Sequence, residues 1–151
     1  MLRTLAIAVL VTSPTWTFAE AVTGKASILD GDTIEIHGQR IRLEGIDAPE
    51  SRQTCGGGWR CGKDAAFALA DRIGTATVGC EVHGKDRYKR LLAVCYSGGE
   101  DLNRWMVRNG WAVAYRKYSA AYVQDETRAR AAGLNIWSTN FQMPWDWRQV
   151  H

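Results

Sequence analysis

Four acids and two arginines stand out among a few short words of this chain. Asp30 and Asp32 stand in "DGDTI" and Asp47 and Glu50 in "GIDAPE". Arg42 lies in the alternating run between those words, and Arg90 ends "DRYKR". Carboxylate oxygens are hard donors, and two of them suit Ca²⁺ while leaving room for water and a substrate oxygen. Guanidiniums fork onto oxyanions, phosphate among them. A nearby glutamate can take a proton from water. A cation and two guanidiniums together can bind charge that grows at a phosphorus centre. Taken singly, each word is ordinary: Asp30-Gly31 is a turn pair, Asp47 to Glu50 a turn before a helix cap, and "DRYKR" a charged hairpin loop. Their joint occurrence points to a site.

The surrounding pattern supplies elements to hold these residues. Val22 to Leu29 is a strand candidate, and Thr33 to His37 alternates with Ile34 and Ile36 on one face. Gly38 and Gln39 make a turn. Ile41 and Leu43 continue the alternation, with Arg40, Arg42 and Glu44 opposite. Pro49 stops the strand. "GKDAAFALADRIG" reads as a helix with Phe67, Ala70 and Ile73 on one stripe and Gly74 at its end. Thr77 to His83 and Arg90 to Tyr96 make a hairpin. "DLNRWMVRNG" and "SAAYVQDETRARAAG" are two further helices, ended by Gly110 and Gly133. Five strands with a helix before the fourth predict an α+β, mainly β fold: a five-stranded OB-fold barrel with three helices.

The 151 residues suit one domain. Arg3, the apolar run Leu5 to Val11 and the small residues Thr17 and Ala19 predict a signal peptide over residues 1–19, leaving a domain over residues 20–151. The expected product is secreted or periplasmic, without stable membrane association after cleavage. Without Arg3, 18 Lys and Arg face 16 Asp and Glu. That balance is too weakly basic to hold nucleic acid by charge alone, so any such role must rest on a site. Cys55, Cys61, Cys80 and Cys95 are an even set, which in an exported chain favours two disulfides. Zinc is the rival, but five residues separate the cysteines of "CGGGWRC" and no histidine follows nearby. Three pairings are open. Cys80 and Cys95 flank the hairpin turn symmetrically, which predicts Cys80–Cys95 and a local Cys55–Cys61. His37, His83 and His151 fit no ligand spacing, and the tryptophans are read as packing residues.

In order and separation, "DGDTI", "IRLEGIDAPE", "DRYKR", "LNRWMVRNGWAVAY" and "GLNIW" resemble the staphylococcal nuclease (thermonuclease) family, from about Ala21 to Trp137. The resemblance implies a Ca²⁺-dependent hydrolase of DNA and RNA with little sequence preference, leaving 3′-phosphate ends. Asp32, Asp47 and the Ala48 carbonyl would be the calcium ligands, where many relatives have threonine for Ala48, and Asp30 a supporting acid. Arg42 and Arg90 would hold the scissile phosphate, and Glu50 would activate or orient water. Arg87, Tyr88 and Tyr115 would contact a terminal phosphate. Relatives commonly carry glycine where Lys89 stands; if that position takes a positive φ, Lys89 is strained and can shift Arg90. No heptad or obvious apolar patch argues for a dimer, so a monomer is expected. Two other classes compete: a noncatalytic OB module that binds nucleic acid or a partner, and an envelope or polysaccharide-associated factor. The first of these predicts a gap in the arginine and glutamate set, and none is seen.

Overall fold

The computed structural model describes residues 19–151. The signal-peptide assignment therefore lies, except for Ala19, outside the described residues. The first strand candidate is bent into two strands, β1 (Glu20–Gly24) and β2 (Ala26–Asp30). It is followed by β3 (Thr33–Ile36), β4 (Gln39–Leu43) and the short β5 (Ile46–Asp47). Helix α1 (Cys61–Ile73) precedes the hairpin β6 (Val78–Lys85) and β7 (Leu91–Ser97). Then come β8 (Glu100–Asp101), α2 (Leu102–Arg108), β9 (Val113–Ala114), α3 (Val123–Ala131) and α4 (Pro144–Val150).

The sheet order is β1-β6-β7-β4-β3-β2, with β4 parallel to β7 and the other pairs antiparallel. β1 and β2 are consecutive in the chain yet sit at opposite ends of this order. A run that bends at Lys25 to serve both edges must curl the sheet towards closure. Counted once, that bent run gives with β3, β4, β6 and β7 the five strands of an OB-like fold. A Cβ on Gly24 would come within 2.5 Å of the His37 ring and 2.9 Å of Ile36 Cγ2, so glycine lets the bend pack closely on β3 and the residue after it.

Ile34, Ile36, Ile41 and Leu43 are fully buried, as the alternation of β3 and β4 predicts. They join Leu69, Val78, Leu91, Leu102 and Met106 in one core. Each such side chain contributes about 1.5–3 kcal/mol by leaving water. The stripe expected for α1 is corrected. Its buried side carries Ala65, Leu69 and Ile73, at i, i+4 and i+8, whereas Phe67 is 54% exposed. The helix count is also corrected, because α4 follows the three expected helices.

Cys80 pairs with Cys95 across the hairpin and Cys55 with Cys61, as predicted. Closing the 15-residue separation contributes about 3 kcal/mol by restricting the unfolded chain. Asn103 ties α2 to the barrel: its amide donates to the carbonyls of Glu44 (2.9 Å) and Ala93 (3.0 Å), and its Oδ1 accepts from the Cys95 N–H.

Candidate active site

The β2–β3 turn and the segment after β5 meet at one end of the curled sheet. Glycine makes this approach possible. A Cβ on Gly31 would lie 2.8 Å from the Ala48 Cβ. The approach lets the Ala48 N–H donate to Asp32 Oδ2 at 2.8 Å. On the other side, a Cβ on Gly62 would stand 1.7 Å from the Glu50 carbonyl oxygen, so the first turn of α1 packs directly on the Glu50 backbone. The buried Gln53 fixes the same stretch. Its Oε1 accepts from the Glu50 N–H (3.2 Å) and its backbone N–H donates to the Glu50 carbonyl (2.7 Å). The Cys55–Cys61 bridge closes the loop immediately beyond.

Arg42 projects from β4 into this junction. Its Nη1 lies 3.2 Å from Asp32 Oδ2 and its Nη2 3.2 Å from Asp47 Oδ1. Nη1 also donates to the carbonyls of Leu43 (3.1 Å) and Ile46 (2.9 Å), so the guanidinium braces the loop as well as the acids. Asp32 and Asp47 are both buried. For Asp32, burial opposes the charge but is outweighed by Arg42 and by hydrogen bonds from Asp30, the Ala48 N–H and Thr33, and its carboxyl lies below the usual range. Burial and the neighbouring Asp32 charge push Asp30 up to about 7. Burial likewise pushes Asp47 up to about 6, against the hydrogen bonds from Arg148.

Six of the expected residues thus come together: Asp30, Asp32, Arg42, Asp47, Ala48 and Glu50. Arg90 reaches the same end from the β6–β7 turn, with Nη1 3.4 Å from Thr33 Oγ1, and that hydroxyl donates to Asp32 Oδ1 at 3.1 Å. Lys89 does adopt a positive φ, +64°, which costs on the order of 1 kcal/mol for a residue with a Cβ. The turn holds nonetheless. Asp86 accepts from the N–H groups of Tyr88 (2.8 Å) and Arg90 (3.0 Å) and from Arg90 Nε (2.7 Å). Arg87 and Arg90 lie 4.9 and 5.6 Å from the exposed Tyr88 ring. Tyr115 is stacked on Trp145 at 5.4 Å and meets Tyr118 edge-on.

One residue was missed. Arg148, in the last turn of α4, forks onto Asp47 through Nη1–Oδ1 and Nη2–Oδ2, both 2.9 Å, and its Nη1 reaches Glu50 Oε1 at 2.7 Å. The only sequence signal was Pro144 at the first helical position, which marks a helix start but not its destination.

The donor set is of hard oxygens, with two buried carboxylates and no thiolate or imidazole, and so fits Ca²⁺ in type. Among the described residues no group of three or more His, Cys, Asp or Glu side chains is placed to hold a metal ion. A cation here would draw its remaining ligands from backbone, water and substrate. Without it, the raised Asp30 and Asp47 values mean that the folded state binds more protons than the unfolded one between about pH 4 and 7. Stability then falls as pH rises through that window. His83, raised by its hydrogen bonds to Glu44 and Glu81, acts with the same sign as pH rises through its folded value. In chelator, the melting temperature is therefore expected to drop from pH 5 to pH 8, and Ca²⁺ to flatten the drop. A melting temperature that climbs with pH in chelator would contradict this.

Comparison with known proteins agrees with the geometry. The family model described as "Staphylococcal nuclease homologue" matches residues 40–139. The succinoglycan biosynthesis protein ExoI of Rhizobium meliloti is 40% identical over 126 residues, which cover 79% of this chain and 66% of ExoI. An uncharacterized endonuclease of Haemophilus influenzae is 35% identical, over 81% of this chain and 70% of its own length. The micrococcal nuclease of Shigella flexneri is 38% identical, over 96% of this chain and 89% of its own. The chain belongs to the staphylococcal nuclease family.

Proposed function

We propose that the protein is a Ca²⁺-dependent nuclease that hydrolyses DNA and RNA with little sequence preference, cleaving the bond to the 5′ oxygen and leaving 3′-phosphate ends. The supporting observation is the meeting of two buried carboxylates, Asp32 and Asp47, with Arg42 and Glu50 at one junction. The names of the Haemophilus and Shigella relatives support the substrate class.

In this reading Asp32, Asp47 and the Ala48 carbonyl hold the cation, with Asp30 as a supporting acid. Bound there, Ca²⁺ supplies a Lewis acid for a phosphoryl oxygen. Arg42 and Arg90 bind the charge that develops on the phosphate. Glu50 accepts a proton from the attacking water, or orients it. Arg87 and Tyr88, at the hairpin tip, hold a flanking phosphate, with Tyr115 lining that subsite. The chain acts as a monomer. A signal peptide over residues 1–19 delivers it to the periplasm or outside the cell, where both disulfides are stable.

The name of ExoI favours one second reading, a role in polysaccharide production in which this fold no longer cuts nucleic acid. One assay separates the two. Purified residues 20–151 are expected to degrade single-stranded nucleic acid and plasmid DNA with Ca²⁺, more slowly with Mg²⁺, whose octahedral geometry is more demanding, and not at all in excess chelator. Undiminished cleavage in chelator would remove the metal assignment. No cleavage under any condition would favour the second reading.

A further inference from the structure

Arg148 lies far along the chain from the acids it touches, yet its fork takes both oxygens of Asp47 and its Nη1 also takes Glu50. Asp47 Oδ1 receives Arg42 in addition. Every oxygen of this buried carboxylate therefore already faces a guanidinium. The segment that delivers Arg148 is anchored by other means. Trp145 stacks on Tyr115, and Phe141, Met143 and Trp145 pack on the cluster of Cys55, Cys61, Val113 and Ile136. The Gln142 carbonyl accepts from Gln53 Nε2 at 2.7 Å. Arg148 itself stands one turn beyond these anchors, and its side chain is 37% exposed. It can swing out without dislodging the helix.

We propose that Arg148 is a resident counter-cation of the site. It neutralises Asp47 and Glu50, and a divalent cation must displace it to bind, so Arg148 sets the affinity of the site for that cation. The proposal rests on the reading that Asp47 is a cation ligand. The charge arithmetic favours exchange over coexistence. A divalent ion on Asp47 would sit within a few ångströms of the guanidinium, and like charges at such range in a partly buried site repel strongly. The fork geometry is specific to arginine, because an ammonium is a point charge that cannot take both carboxylate oxygens in the same way. The consequence is a site held in order before the ion arrives, at the expense of weaker binding.

Calorimetric titration with Ca²⁺, free of substrate, tests this on the wild type, Arg148→Gln, Arg148→Lys and Asp47→Asn, with circular dichroism to confirm folding. Arg148→Gln is expected to tighten the Ca²⁺ dissociation constant about tenfold, equivalent to about 1.4 kcal/mol. Arg148→Lys should fall between Arg148→Gln and the wild type, and Asp47→Asn should weaken binding. An Arg148→Gln affinity equal to or weaker than wild type would overturn the proposal and make Arg148 a support for the metal-loaded site. Calcium binding indifferent to Asp47→Asn, or absent from every variant, would instead sink the metal reading itself, and the counter-cation role with it.

Discussion

Glu50→Gln is expected to lower kcat by roughly 10²–10⁴-fold while leaving KM and Ca²⁺ affinity within a few-fold of wild type. The substitution keeps the shape of the side chain but removes its negative charge and its capacity to take a proton. The backbone of Glu50 is held independently, by Gln53 at both its N–H and its carbonyl and by the close approach of Gly62. The carboxylate is therefore free to be changed without moving the chain. Its one charged partner in the described structure is Arg148, at a partly exposed position, so its loss should cost the fold little. Single-turnover rates measured at saturating Ca²⁺ read the chemical step directly. A variant that cleaves at the wild-type rate would leave Glu50 with no part in activating water.

Arg90→Ala and Arg87→Ala should fail in different ways. Arg90 is proposed to bind charge that grows in the transition state, and its removal should lower kcat by roughly 10²–10³-fold, as for loss of an oxyanion donor. Arg87 is proposed to hold a flanking phosphate equally in ground and transition states. Its removal should raise KM on the order of tenfold and spare kcat. Arg90 is the cleaner probe of the two proposed phosphate clamps. Arg42 also braces the Leu43 and Ile46 carbonyls and compensates two buried acids, so its loss would mix structure with chemistry. Removing Arg90 breaks mainly its partly exposed pair with Asp86, worth up to about 1 kcal/mol. Steady-state kinetics on one oligonucleotide decide the matter. If Arg90→Ala keeps the wild-type kcat, "DRYKR" is only a charged turn, and the site loses one of its clamps.

Much of this was legible because it is local or periodic. Ile34, Ile36, Ile41 and Leu43 alternate, and alternation survives folding whatever else packs against it. Cys80 and Cys95 lie symmetrically about a turn, so the hairpin that aligns the strands also aligns the thiols. The acids and arginines of the site were legible as a set, and their convergence follows once β2, β3, β4 and β5 adopt their order. Lys89 shows the same logic in reverse: the turn needs a left-handed residue there, and Asp86 compensates for the missing glycine with bonds to the Tyr88 and Arg90 N–H groups.

The misses are long-range or one-sided. Seven residues of α4 are too few for a helical period to register, and the Arg148–Asp47 contact spans about a hundred residues, which no local pattern encodes. The division of the first strand at Lys25 had a signal in Gly24, but the reason for glycine is the His37 ring, a tertiary neighbour. The stripe of Phe67, Ala70 and Ile73 rests on helical spacing alone. The helix instead buries the Ala65, Leu69 and Ile73 edge, where the small Ala65 lets α1 lie close to the β2–β3 turn: a Cβ on Gly31 would come within 3.0 Å of Ala65 Cβ.

The central claim is that phosphodiester hydrolysis depends on a cation held by Asp47. The most direct measurement is the initial rate of cleavage of an end-labelled oligonucleotide across a Ca²⁺ series, for the wild type and for Asp47→Asn. The wild-type rate should rise hyperbolically from zero in chelator to a plateau, and Asp47→Asn should stay at least a hundredfold below it at every concentration, roughly the effect of losing one electrostatic stabiliser of the transition state. An Asp47→Asn protein that follows the wild-type curve would contradict the account.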